Sequence, residues 1–303
     1  MSTVSAAQIK DLLKETFSEW SKDKASRLAA ALSYYTIFSV APLLIIAIAV
    51  AGLVFGREAA THQIEGQVRG LLGEQGAQAI QTIVENASKT GAGVVATLVG
   101  VVTLLMGASG AFAQLQESLN AIWEVKPKQG RGVKGILRDR FLSFSMVLVI
   151  GFLLLVSLVL SAVLAGVGKY LAGILPISSV VMQIVNFGIS FAVTTLLFAL
   201  IFKVLPDAYI RWRDVWVGAA FTALLFSLGR FVIGLYLGRS SVSSAYGAAG
   251  SLVVLLVWVY YSAQILFLGA EFTQVFATRY GKGIVPKPNA ERLGPVPPGL
   301  TAA

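Results

Sequence analysis

No charged residue occurs between Ser240 and Ala270. Within and just beyond that window lies YGAAGSLVVLLVWVYYSAQILFLGAEF, residues Tyr246 to Phe272. At about 1.5 Å rise per residue, a helix of that length exceeds the roughly 30 Å hydrocarbon core of a bilayer. This run therefore points to a membrane. It is not a plain anchor, because Tyr260, Tyr261, Ser262, Gln264 and Glu271 sit toward its end.

Composition extends the conclusion to the whole chain. Of 303 residues, 56% are hydrophobic and 13% charged, where a soluble domain carries about 25% charged residues. The mean hydropathy is +0.77. The expected fold class is all-α: a polytopic membrane helical bundle with about six transmembrane helices, plus amphipathic surface helices. The net charge of +9 sits between apolar runs, so it reads as orientation in the membrane and no nucleic-acid partner is expected. There are no cysteines, which excludes disulfides, thiolate metal sites and cysteine nucleophiles. No cofactor and no metal are expected.

The spans are expected at about 28–55, 91–116, 141–167, 179–202, 215–237 and 246–272, within a membrane domain covering 28–280. Residues 1–27 carry Ile9, Leu12, Leu13, Phe17 and Trp20 on one face. They suit either an interfacial helix or a helix packed on the bundle. Pro42 lies inside the first span, where it is expected to kink the helix. Residues 57–90 read as short amphipathic helices on the outer surface, with His62 a surface residue. The stretch 281–303 is rich in Pro and Gly and is expected to be a disordered cytoplasmic tail.

Basic residues choose a side. Eighteen of the 24 Lys and Arg fall in the N-terminal segment, the 117–140 loop, the 203–214 loop and the tail. Arg57, Arg69, Lys89, Lys169 and Arg239 fall on the other side, and Arg230 is inside a span. This places both termini in the cytoplasm.

Polar groups at membrane depth are default functional candidates, with helix-to-helix bonding as the rival role. Tyr261, Gln264, Leu268 and Glu271 are spaced 3, 4 and 3, as are Gly107, Gly110, Gln114 and Glu117, so each set shares a helix face. Both point to the inner leaflet. One reading is a cavity lined by Gln114, Glu117, Tyr261, Gln264 and Glu271. In it, Glu117 and Glu271 approach each other. The other reading puts both carboxylates at headgroup level, paired with loop Lys or Arg. Arg230 lies in the outer half of its span, at the level of Gln183 and Asn186. It is open to snorkelling, a bridge to Asn186, or an anion contact. Gly100, Gly107, Gly110, Gly247, Gly250 and Ser251 allow close helix packing, which leaves room for a homo-oligomer.

The segments ALSYYTIFSVAPLL (31–44), NAIW (120–123), LPDAYIRWRDVWVGA (205–219) and YGAAGSLVVLLVWVYYSAQILFLGAEF (246–272) resemble the YihY/BrkB family. The resemblance covers about residues 20–280 and implies a six-helix bacterial inner-membrane protein with cytoplasmic termini. It also implies links to envelope integrity and, for one relative, to transport of lipid A precursors. The family carries an older ribonuclease name. RNA hydrolysis needs a positioned acid and base or a metal pair. Here the single histidine is in the outer loop, so no enzyme activity is expected.

The expected function is non-ATP-driven transport of a lipid, amphipathic solute or ion, linked to envelope integrity. No Walker motif is present, so nucleotide drive would need a partner. The alternative is a structural or scaffolding envelope protein that binds a partner through 57–90. Membrane lipids are expected partners in both cases.

Overall fold

The computed structural model describes residues 5–56, 110–128, 179–239 and 250–293, with isolated helical positions between 58 and 81. The expected spans 141–167 and most of 91–116, the insertion 57–90 apart from those positions, and residues 294–303 lie outside the described residues.

Helix dominates. Helix α1 is Ala6–Lys22 and α2 is Ala25–Phe55. Helix α3 covers 110–122 and leads into strand β1, Val125–Pro127. Helix α4 is Ser179–Val204, followed by strand β2, Ala208–Tyr209. Helix α5 is Trp212–Arg239 and α6 is Gly250–Tyr280. Strands β3, Val285–Pro286, and β4, Ala290–Arg292, close the described chain. Among the described residues, three stretches are long and apolar enough to cross a membrane: Phe187–Val204, Trp212–Ile233 and Leu252–Tyr280. The chain is a membrane helical bundle. Helix α2 runs unbroken through Pro42. Helix α6 continues eight residues past the expected end at 272, because Thr273, Val275 and Ala277 are still buried.

Helices α5 and α6 are antiparallel and interlock through small residues. A β-carbon on Gly218 would overlap the Thr273 hydroxyl and stand 2.7 Å from Thr273 Cβ. A β-carbon on Gly269 would meet Thr222 in the same way, 2.8 Å from its Cβ. Each threonine thus fills the space left by the other helix's glycine, and the two Gly-x-x-x-Thr turns embrace reciprocally. Both hydroxyls are satisfied inside their own helices, with Thr222 donating to Gly218 O and Thr273 to Gly269 O, each at 2.7 Å. Burying them therefore leaves no orphaned donor. Phe221 and Phe272 stack beside this contact with centroids 4.0 Å apart.

The far ends of these helices share one end of the bundle, here termed the basal end. Helix α1 lies there against α6, with Leu12 buried beside Phe272 and Val275. The Arg279 guanidinium pairs with Glu15. Ile9, Leu13 and Phe17 remain exposed. The helix packs on the bundle with one edge of its apolar face and leaves the other edge open.

The stretch expected to be disordered from 281 is instead ordered to 293. Strand β3 pairs antiparallel with β2, and β4 with β1. The Lys287 amide donates to Asp207 O at 2.9 Å and the Leu293 amide to Glu124 O at 2.7 Å. Ile284 and Ala290 are buried at 3% and 4% exposure. Proline and glycine content suggested disorder, but these few apolar residues and ladder bonds are enough to fasten the chain across two loops.

The interlock predicts that Gly269→Ala lowers unfolding stability by about 2 kcal/mol, the usual scale of overpacking. Thermal unfolding of the detergent-purified protein measures it. Adding Thr222→Gly should recover more than half of the loss; no recovery would place the strain elsewhere.

Candidate functional site

The basal end is built around α6. Fully buried Ala25 and Ala29 of α2 and Phe267 and Ala270 of α6 belong to one apolar cluster with Trp123, Phe202 and Ile210. Small residues at 25, 29 and 270 let the helices approach closely. Trp123 meets Phe202 edge-on with centroids 5.8 Å apart.

Two buried polar groups interrupt this cluster in opposite ways. Asn120 and Asp207 satisfy each other: the Asn120 amide donates to the Asp207 carboxylate at 3.1 Å, and the Asp207 backbone N–H donates to Asn120 Oδ1 at 2.8 Å. This clamp joins α3 to the turn after α4. Glu271 has no such partner. It is 0% exposed, and neither carboxylate oxygen accepts a hydrogen bond among the described residues. Among the described residues Gln264, two turns earlier on α6, also buries its Oε1 without a donor, and so does Asp214 of α5 with its Oδ2. The indole N–H groups of Trp20 and Trp123 are likewise buried with no acceptor among the described residues.

The charged groups whose fields reach Glu271 are Asp23, Glu19, Lys22 and Glu124. They stand at the α1–α2 joint and just after α3. Lys22 is already held by Glu19 at 2.6 Å, and that bond raises its pKa above the usual lysine range. Burial raises the Asp23 carboxyl above its ordinary range; Lys22 opposes this and Glu19 and Glu124 add to it. The joint itself is tight, with Lys24 in the left-handed region at φ 54°. Among the described residues, the charged groups acting on Glu271 are therefore three acids and one committed cation. Among the described residues no group of His, Cys, Asp and Glu is arranged to hold a metal.

The residues expected to line one cavity are dispersed in the structure. Gln264 and Glu271 do turn inward. Glu117 is exposed and is not among the groups acting on Glu271. At 3.6 residues per turn it stands roughly 160° around α3 from buried Leu119; the shared 3, 4, 3 spacing gave a face but not which way it turned. Gln114 is half-buried and donates to Ser118 of its own helix at 3.2 Å. Tyr261 faces α5, where a β-carbon on Gly229 would lie 3.0 Å from its ring. Arg230 is exposed among the exposed apolar residues Leu228, Phe231 and Val232, which suits a snorkelling side chain. The side chains of Gln183 and Asn186 are outside the described residues.

Sequence reasoning missed Asn120, Asp207 and the pairing of the tail. The signal was present: Asn120 and Asp207 lie inside two of the segments that carry the family resemblance, NAIW and LPDAYIRWRDVWVGA.

The comparisons agree with that resemblance. The family model described as "Virulence factor BrkB" matches residues 16–294. The chain belongs to the BrkB family. It is 26% identical over 282 residues to a UPF0761 membrane protein of Psychrobacter sp. (strain PRwf-1), covering 88% of this chain and 49% of the relative. It is 26% identical over 263 residues to another of Kangiella koreensis, covering 86% and 62%. It is 31% identical over 193 residues to one of Tolumonas auensis, covering 63% and 59%. The chain thus spans about half to three-fifths of the length of these relatives. No solved structure matches it. With the apolar helices above, the match makes this BrkB-family chain an integral membrane protein of bacterial type.

The Asp23 shift has a testable sign. The folded-state pKa is raised, so folding favours the protonated form. That contribution is intact below the unfolded value near 3.8 and turns into a penalty as pH rises through the folded value. Asp23→Asn should therefore raise the melting temperature at neutral pH, with the gain vanishing at acid pH. Thermal unfolding across that pH range tests it; a gain that grows on acidification would reverse the sign.

Proposed function

We propose that this BrkB-family protein is a non-ATP-driven transporter of a lipid, amphipathic solute or ion in the bacterial inner membrane, linked to envelope integrity. What supports the reading is Glu271, a wholly buried carboxylate on a span-forming helix with no hydrogen-bond donor on either oxygen among the described residues. Such a group is costly to bury, and a helix that served only as a strut would do better with an apolar side chain there. A carboxylate without a fixed partner is left to be met by a proton, a cation, water or a polar part of a cargo. Exchange among such occupants is what couples a carrier to its substrate or driving ion. Gln264 adds a second unsatisfied acceptor along the same helix.

The basic residues support an orientation. Lys22, Lys24, Lys126, Lys128, Lys203, Arg211, Arg213 and Lys282 all belong to the basal end or to the loops tied to it. On the positive-inside rule we read that end, with both termini, as cytoplasmic.

A second reading, a scaffolding envelope protein, draws on the interlocked α5–α6 pair and the tail fastened across two loops. Both features make a rigid body. Reconstituted liposomes separate the two. With a fluorescent phospholipid and an internal pH-sensitive dye, the wild type should move lipid or protons faster than empty liposomes. Glu271→Gln, nearly isosteric, should cut that rate at least about tenfold, in keeping with an ionisable group at membrane depth, while exposed Glu117→Gln stays within about twofold. Flux indistinguishable from empty liposomes, or an unaffected Glu271→Gln, would favour the scaffold.

A further inference from the structure

A second feature of the basal end lies apart from Glu271. Where α4 ends and α5 begins, the chain leaves a pocket of about 570 Å³ lined by Lys203, Tyr209, Ile210, Arg211, Trp212, Arg213, Lys282, Gly283 and Val285. That volume falls in the range of small-ligand sites. Four of the lining residues are cationic and none is acidic. Strand pairing of β3 with β2 brings Lys282 and Gly283 to the wall, so the ordered tail completes the pocket.

Among the described residues, three of the four cations are free to receive an anion. Among the described residues, no carboxylate or other acceptor engages the side chains of Arg211, Arg213 or Lys282. Of the acids nearby, Asp207 is clamped by Asn120 and Glu291 pairs with Lys126 at 3.2 Å. Asp214 is buried beside Gly281 with no hydrogen bond to its Oδ2 among the described residues, and it does not line the pocket. Lys203 is held in place: its ammonium donates to Ile210 O and sits 5.5 Å over the Trp212 ring. The pocket also opens at the first turn of α5, whose Trp212 and Arg213 N–H groups have no carbonyl within the helix to bond.

The surroundings say which kind of anion. The pocket lies between the ends of two apolar stretches, Phe187–Val204 and Trp212–Ile233, which is headgroup depth. Tyr209, Trp212 and Trp216 are exposed there, the residues of an interfacial belt. From the pocket's rim, exposed Trp216, Val217, Leu224, Leu228 and Phe231 continue down one face of α5, an apolar track for acyl chains. A cationic cup above an apolar track is complementary to a lipid rather than to a free ion.

We propose that this pocket binds the phosphate of an anionic glycerophospholipid headgroup, with the acyl chains laid along α5. Arg211 and Arg213 hold the phosphate oxygens, Lys203 and Lys282 supply charge, and Trp212 and Trp216 flank the glycerol region. The proposal does not depend on transport: such a lipid anchors the basal end in the cytoplasmic leaflet of a carrier or a scaffold alike.

The test uses the full chain in detergent and reads ligand-induced thermal stabilisation, which grows with binding by mass action. The probes are dioctanoyl phosphatidylglycerol, dioctanoyl phosphatidylcholine and inorganic phosphate. Phosphatidylglycerol should half-saturate at a concentration at least about tenfold lower than either of the others, as expected for charge-assisted contacts combined with apolar burial. Arg211→Gln/Arg213→Gln should abolish the preference for phosphatidylglycerol over phosphatidylcholine. Arg211→Lys/Arg213→Lys should keep most of it, and Lys14→Gln, on the exposed side of α1, should leave it unchanged. If the double glutamine variant does not purify folded, Lys282→Gln is read the same way. Equal response to the two lipids, or a preference that survives Arg211→Gln/Arg213→Gln, overturns the proposal. So does inorganic phosphate acting at the same concentration as phosphatidylglycerol, which would make the pocket a free-anion site.

Discussion

The reciprocal contact between Gly218–Thr222 and Gly269–Thr273 is the interaction on which the rest of the bundle depends. In a bilayer, lipid tails are as apolar as the side chains they would replace, so helices associate through close packing more than through the hydrophobic effect. Two glycines facing two threonines bring the backbones of α5 and α6 together at a depth where a single added methyl would not fit. The stacked Phe221 and Phe272 rings and the buried Asp214 against Gly281 extend the same antiparallel seam to the basal end. With α6 fixed in this way, the face that carries Gln264 and Glu271 is turned toward α1 and α2.

Two consequences follow at the basal end. The first is closure: α1 lies along α6 through Leu12 and the Arg279–Glu15 pair, and the tail crosses beneath as two short strands. The second is a contrast between polar groups. Asn120 and Asp207 are buried and fully matched to each other, which is how a protein makes a polar core rigid. Glu271 is equally buried and matched to nothing among the described residues. The same end of one molecule thus holds a polar pair suited to structure and, in Glu271, an acid with both oxygens unmatched among the described residues and suited to exchange. The basic pocket at the start of α5 adds a surface for the membrane itself.

Much of this was legible in the sequence. Span-forming runs follow from length and apolarity, which is why α4, α5 and α6 fall within a few residues of the expected boundaries at their described ends, α6 excepted at its C-terminus. Glu271 and Gln264 stood out because amides and carboxylates are rare in such runs. What spacing could not supply was rotation: Glu117 shares a 3, 4, 3 pattern with Gln114, yet its side of α3 faces outward, because Leu119 and Ile122 claim the core. Tyr261 faces α5 because Gly229 leaves room there, a contact between two helices consecutive among the described residues that spacing along α6 alone does not reveal. The tail misled for a different reason. Its composition is that of a linker, and its order comes from partners at 125–127 and 208–209 that no local pattern reveals. Asn120 and Asp207 are ordinary residues in isolation, and only their meeting across 87 positions gives them a role.

The central claim is that the fold seals Glu271 away without a partner while leaving Glu117 outside. The natural absence of cysteine makes this directly measurable. Glu271→Cys and Glu117→Cys, each as the single thiol of the chain, can be reacted in open membrane fragments with a charged, membrane-impermeant maleimide. The account predicts rapid labelling at 117 and labelling at least about a hundredfold slower at 271, as expected for a site reached only when the basal end opens. Equal rates at the two positions would contradict it.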